Sequence, residues 1–215
     1  MVLPWFLALT LTSLLAEPVV IAMTTSPYSV ARQAISDLGV TTCGPVPALS
    51  GDIEVCSPGW PLMNAAMALT GMALTICAAL LRRHLGISVG AVIALIAAGV
   101  STIGAAAIPL NVSFAGHLAA AMPAFPAQAI AMILLAKSFG HHLGPRWRVA
   151  FLLGGTITAL CTVLFIAPAS WELPFGVIER IAAYTLPAAL TAVALASNTT
   201  TADRGTPTRT RPRVD

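Results

Sequence analysis

Six polar side chains of this 215-residue chain stand where a buried site could use them: Glu17, Asp37, Asn64, His117, Glu179 and Arg180. Arg32, a few residues before Asp37, joins them as a candidate ligand-binding group with Asn64. A carboxylate, an imidazole and a guanidinium together suit proton transfer beside a held polar group. His117 would be the acid/base, because an ordinary imidazole titrates near neutrality. Asp37 or Glu179 would orient it, and Arg180 would hold an anionic headgroup or a developing charge. Glu17 completes the catalytic candidates. Such a set suits hydrolysis or transfer on a lipid or isoprenoid substrate. Nothing specifies a nucleophile: Ser36 and Ser113 are present, but no Gly-x-Ser-x-Gly elbow, phosphate loop or His-x-x-Glu-His type motif accompanies them. No Cys/His spacing resembles a structural zinc site, so neither a metal nor a cofactor is expected.

The elements that must position these residues follow from composition. Apolar residues make up 57% of the chain and charged residues 9%, against roughly 25% charged in an ordinary soluble domain. Mean hydropathy is +0.87. A soluble fold could not cover its surface with so few charges, and the net charge of +3 is too weak and scattered for a nucleic-acid footprint. A membrane helix needs about 20 mostly apolar residues. Six stretches qualify, at about 2–23, 60–81, 87–110, 117–136, 149–169 and 176–196. The competing reading, barrel strands, requires alternation of apolar and polar residues, which runs such as 91–98 do not show. The expected fold is therefore all-α: a six-span bundle over 1–196 with one long loop at about 24–59, then a basic tail, 197–215, without periodicity and read as disordered.

Lys and Arg collect in short cytoplasmic loops. Arg82, Arg83, Lys137, Arg146, Arg148, Arg204, Arg209, Arg211 and Arg213 share one side if the spans alternate, and Arg32 and Arg180 take the other. This split of nine to two predicts a multi-pass cell-membrane protein with both termini cytoplasmic. The first span could instead be a cleaved signal peptide, but it lacks a basic leading region and contains Glu17 and Pro18. The long loop then lies outside, and its Cys43 and Cys56 suggest a disulfide; two free thiols are the alternative. Cys77 and Cys161 fall within spans and read as packing residues.

An ionisable group inside a span costs several kcal/mol unless paired or hydrated. Nearly all such groups here map to the outer half of the membrane, which predicts one polar pocket under the long loop. Arg180 would pair with Glu17 or Glu179. His117 and Gln128, eleven residues apart, share one helix face at 100° per residue. The bland readings are a Glu–Arg clamp between helices, a headgroup-facing His117, and Asn64 and Gln128 as interhelical hydrogen-bond glue. Convergence beside a cavity of roughly 300 Å³ or more would mark a ligand site.

Several stretches together resemble a bacterial family of uncharacterised membrane proteins, domain of unknown function 998. They are Pro27-Tyr28 with Arg32 and Ile35-Ser36-Asp37-Leu38-Gly39, Gly59-Trp60-Pro61-Leu62-Met63-Asn64 with Leu69-Thr70-Gly71, Ile108-Pro109-Leu110-Asn111 with His117-Leu118, and Gly176-Val177-Ile178-Glu179-Arg180. The resemblance implies a six-helix membrane fold and no established activity. It groups Arg32, Asp37, Asn64, His117, Glu179 and Arg180 as one constellation. Asn111 stands where the resemblance implies an acid, so no charge-dependent role is expected there.

Two function classes fit. One is a membrane enzyme or lipid-handling protein that binds, transfers or hydrolyses a lipid or other hydrophobic ligand through an outward pocket. The other is non-catalytic: an accessory or structural subunit, or a small-molecule carrier. Whether the protein is an enzyme stays open on sequence alone. The partners expected are the bilayer and a hydrophobic ligand, with no nucleic acid and no specified protein.

Overall fold

The structure is a computed structural model that describes residues 3–48, 51–167 and 173–203, with side chains up to residue 196. Among the described residues, six helical stretches are long and apolar enough to cross a membrane: Leu3–Met23, Trp60–Leu85, Val89–Ala107, Phe114–Leu143, Pro145–Ile166 and Phe175–Ala196. They agree with the sequence reading to within a few residues, except that the fourth is longer at both ends. Two spans are broken. Span 1 is α1 (Leu3–Leu9) and α2 (Thr12–Met23), and span 4 is α5 (Phe114–Ala121) and α6 (Ala124–Leu143). The others are α3 (Trp60–Leu85), α4 (Val89–Ala107), α7 (Pro145–Ile166) and α8 (Phe175–Asp203). Helix α8 thus runs past residue 196 into the stretch expected to be unstructured. The sequence offers no breaker there before Gly205. The rest of the expected tail, 204–215, lies outside the described residues.

The spans close into a ring. Span 1 packs on α3 and α8, α3 on α4, α4 on α6, α6 on α7, and α7 on α8. Small residues set the spacing: a Cβ on Gly71 would run into the Gly99 backbone, and one on Gly99 into Thr75 and the Gly71 carbonyl. This is how membrane helices gain close packing without a hydrophobic drive. Leu74, Leu95, Leu135, Phe139 and Phe151 fill the core. Outward, Ile93, Leu153, Leu160 and Val163 are largely exposed, as a lipid-facing surface requires.

At both breaks a hydroxyl from a neighbouring helix takes up freed backbone groups, as spans in hydrocarbon demand. At the break in span 1, the Thr70 hydroxyl of α3 accepts the Ser13 N–H at 3.0 Å. Thr10 donates its hydroxyl to the Leu7 carbonyl at 2.6 Å. At the break in span 4, the Ser101 hydroxyl of α4 donates to the carbonyls of Ala120 and Ala121. Pro123 and Pro126 supply the chemical reason for that break, since neither has an N–H to continue the helix.

The long connection is compact. It contains a short 3₁₀ turn, Ile35–Gly39, and a hairpin of β1 (Gly44–Val46) and β2 (Ile53–Val55), antiparallel with Gly44 opposite Val55. Cys43 and Cys56 close the hairpin base as a disulfide, Cα atoms 4.2 Å apart. Val40, Val46, Val55 and Leu110 form a small core beneath it. Asn111 staples the hairpin to the α4–α5 connection: its Oδ1 accepts the Thr41 N–H at 3.1 Å, and its Nδ2 donates to the Thr41 and Thr42 hydroxyls at 3.0 Å. The exposed cations Arg82, Arg83, Lys137, Arg146 and Arg148 lie at the opposite ends of the spans.

Candidate functional site

Glu17, Asp37, His117 and Glu179 are all buried, at 4%, 1%, 4% and 5% exposed; Asp37 belongs to the long loop and the other three lie on the spans. They divide into two clusters.

The first cluster centres on Arg180. Its Nε donates to Glu17 Oε1 at 2.6 Å. Its Nη1 donates to the carbonyls of Val30 at 2.8 Å, Gln33 at 2.9 Å and Gly176 at 2.8 Å. Its Nη2 donates to the Tyr28 hydroxyl at 2.5 Å. Tyr28 in turn donates to the Ala34 carbonyl at 2.8 Å; burial pushes its phenol well above the ordinary range, so it stays protonated. The second oxygen of Glu17 accepts the Tyr184 hydroxyl at 2.8 Å. Gly176 is required by the same contact, because a Cβ there would strike the Val30 and Gln33 carbonyls that Arg180 holds. Between the two expected partners, Glu17 is the one paired. Glu179 and Arg180, being consecutive on α8, project about 100° apart.

The second cluster lines two adjoining cavities, of about 40 Å³ and 70 Å³. Their common wall is Ser36, His117, Ala121, Phe125 and Glu179. The smaller adds Asp37, Leu118, Met122, Phe165 and Phe175. The larger runs to Ser13, Thr70, Gln128 and Tyr184, in the middle of the ring. Both Ala183 and Pro187 line it, and Pro187 has no N–H to give the Ala183 carbonyl. Volumes of this size hold roughly three to five water-sized groups, less than the roughly 300 Å³ of a whole-ligand pocket.

Polar atoms on this wall are incompletely used. Glu179 Oε2 accepts the Ile35 N–H at 2.8 Å. Asp37 Oδ2 accepts the Ala34 N–H at 2.9 Å, capping the 3₁₀ turn. Asp37 Oδ1 and Gln128 Oε1 are buried with no hydrogen-bond partner among the described residues. Burial lifts the Asp37 carboxyl to about 7, against the Ala34 N–H and Arg180, which both lower it. The His117 Nδ1 lies 2.7 Å from the Ile108 carbonyl. A carbonyl only accepts, so Nδ1 carries the proton. The Ala105 carbonyl also interacts with the ring.

The remaining expected residues go elsewhere. Asn64 donates to the Gly39 carbonyl at 2.9 Å, fixing the 3₁₀ turn rather than lining a cavity. The Arg32 side chain is exposed and outside both cavity walls. Ser113 caps α5, accepting the Gly116 N–H at 3.1 Å; Ser36 lines both cavities. Gln128 does share the cavity with His117, despite the break between α5 and α6. Tyr28 and Tyr184 carry bonds that sequence reasoning assigned to no one. The signal for Tyr184 was its place one turn after Arg180.

Residues 7–196 match the model of a family described as protein of unknown function, DUF998. The chain belongs to the DUF998 family. Comparison with curated proteins and with solved structures finds no match. Within this DUF998 chain, the family-like segments and the two clusters coincide. The Tyr28–Gly39 stretch supplies the loop backbone on Arg180, and the Gly176–Arg180 stretch supplies both Arg180 and Glu179. At the position where an acid was expected, Asn111 acts through its amide on the hairpin.

Proposed function

We propose that this DUF998 protein handles a lipid or isoprenoid-like amphiphile, binding its polar head in the cavity pair walled by His117 and Glu179. The observation that carries the reading is the coexistence of apolar and aromatic lining with two buried, unpartnered acceptors, Asp37 Oδ1 and Gln128 Oε1. Buried polar atoms left without partners cost about 1–3 kcal/mol each, and structures keep them where something else completes them. On this reading the cavities take a head and its first few carbons, and the rest of the tail lies outside them. Arg180 does not hold the ligand on this reading, because its guanidinium is already engaged by Glu17, Tyr28 and three carbonyls.

Native mass spectrometry of the protein extracted in mild detergent tests this. The wild type should retain an amphiphile that a folded Ala121→Trp, whose indole takes up the common wall, loses. Absence of any retained amphiphile, or equal retention in a folded Ala121→Trp, would refute the reading.

A second reading, favoured by the saturated Arg180 network, is that the polar residues only anchor the loop to the bundle, as in an accessory subunit. Under it, cavity-filling variants change nothing but stability.

For orientation, we propose that the long loop is outside the cell and both termini are cytoplasmic, supported by the distribution of Lys and Arg. Asp52→Cys should react with an impermeant thiol reagent from outside, and Arg83→Cys only after permeabilisation. The reverse pattern would invert the assignment.

A further inference from the structure

We propose that the head of this amphiphile donates hydrogen bonds and carries no negative charge: an alcohol or an amine, not a phosphate or a carboxylate. The inference rests on the cavity pair being a ligand site.

The wall presents two carboxyl groups, Asp37 and Glu179. The nearby cation, Arg180, spends its guanidinium on Glu17, on Tyr28 and on loop and helix carbonyls. No Lys or Arg is among the described residues lining either cavity. Once Asp37 is ionised, above about pH 7, an anionic head entering here would face like charge in a buried setting with no free cation on the wall, the least favourable arrangement for a charge. The unpartnered atoms, Asp37 Oδ1 and Gln128 Oε1, are acceptors as placed. A hydroxyl or an ammonium gives them what they lack. An ether oxygen does not, because it can only accept. The aromatic and aliphatic lining from Phe125, Phe165 and Met122 suits the first carbons behind such a head.

The test uses the full chain in phosphatidylcholine nanodiscs and four probes with one chain: dodecanol, dodecylamine, dodecyl methyl ether and dodecyl phosphate. At about pH 8, above the value near 7 for Asp37, that carboxylate can only accept. Dodecanol or dodecylamine should bind at least about tenfold more tightly than the ether and the phosphate, a ratio set by one satisfied or unsatisfied buried hydrogen bond. Asp37→Asn can keep the Ala34 contact through its carbonyl while placing an NH₂ where Oδ1 stands, so it should narrow the alcohol-to-ether ratio. If the ether or the phosphate binds as tightly as the alcohol, and Ala121→Trp blocks it, the head-group inference is wrong and the cavity reading survives. If none of the four binds in a way that Ala121→Trp blocks, the cavity reading itself fails. Should Asp37→Asn misfold, the four probes on the wild type decide between these outcomes on their own.

Discussion

Arg180 and Glu179 are neighbours in sequence and belong to opposite kinds of polar cluster. Around Arg180 the bonding is closed: the guanidinium bonds a carboxylate, a phenol and three carbonyls, and the facing carboxylate is completed by Tyr184. Around Glu179 the bonding is open: the same wall holds cavities and a buried Asp37 oxygen with no partner among the described residues. Both clusters bear the expense of placing polar groups near hydrocarbon. A closed network offsets that cost by itself and explains how the loop is fixed to the bundle. An open one leaves it uncompensated, which is the signature expected of a site completed by something else.

The closed cluster around Arg180 should show the largest effects on stability. Arg180→Met strands Glu17 and should destabilise the protein by about 3–5 kcal/mol, seen as a large fall in thermal midpoint in detergent. Glu17→Gln combined with Arg180→Met should recover part of the loss, because the pair then leaves no unpaired charge of its own. If Arg180→Met unfolds no more readily than His117→Ala, the clamp is not what holds the loop. Removal of the disulfide by Cys43→Ser with Cys56→Ser comes next, at about 3 kcal/mol by the chain-entropy model for a loop of this order. Its effect should centre on the hairpin and appear as faster proteolysis between β1 and β2. Asn64→Ala removes one bond to the 3₁₀ turn, and about 1 kcal/mol is expected, with amphiphile retention unchanged, since Asn64 lines neither cavity.

The smallest effect on stability at neutral pH belongs to the open cluster. The folded Asp37 carboxyl titrates at about 7, raised by burial from 3.8. Between those values the folded state holds a proton that the unfolded state has released, so stability falls as pH rises from about 4 to about 7. Asp37→Asn should remove that component of the slope in urea titrations run across this range. A slope of opposite sign in the wild type relative to Asp37→Asn would mean that Asp37 is stabilised as an anion, and its partner would then need to be found.

The spans are legible in the sequence because a bilayer imposes length and apolarity on every crossing segment. The shared depth of the polar residues is legible for the same reason, as is the need for Arg180 to find a carboxylate. Direction around each helix is not legible, and that is where expectation and structure part. Asn64 lies at the right depth yet turns to Gly39; in the loop, too, Arg32 follows Pro27-Tyr28 in the chain yet its side chain is exposed. Loop backbone was invisible as a partner. Three of the acceptors of Arg180 are carbonyls, two of them in the loop, and carbonyls carry no side-chain signature. The break of span 4 was written in Pro123 and Pro126, but proline is tolerated in membrane helices, so the sequence alone did not require it.

The most direct test of the contrast between the clusters is to map where an amphiphile touches the protein. A dodecanol carrying a diazirine near its head, irradiated with the protein in nanodiscs, can be located residue by residue through mass spectrometry of the peptides. Adducts on Phe125, Met122 or Phe165, suppressed by Ala121→Trp, are the expected result. Adducts confined to lipid-facing positions such as Ile93 and Leu153, and unchanged by Ala121→Trp, would contradict it and leave the polar cluster a loop anchor alone.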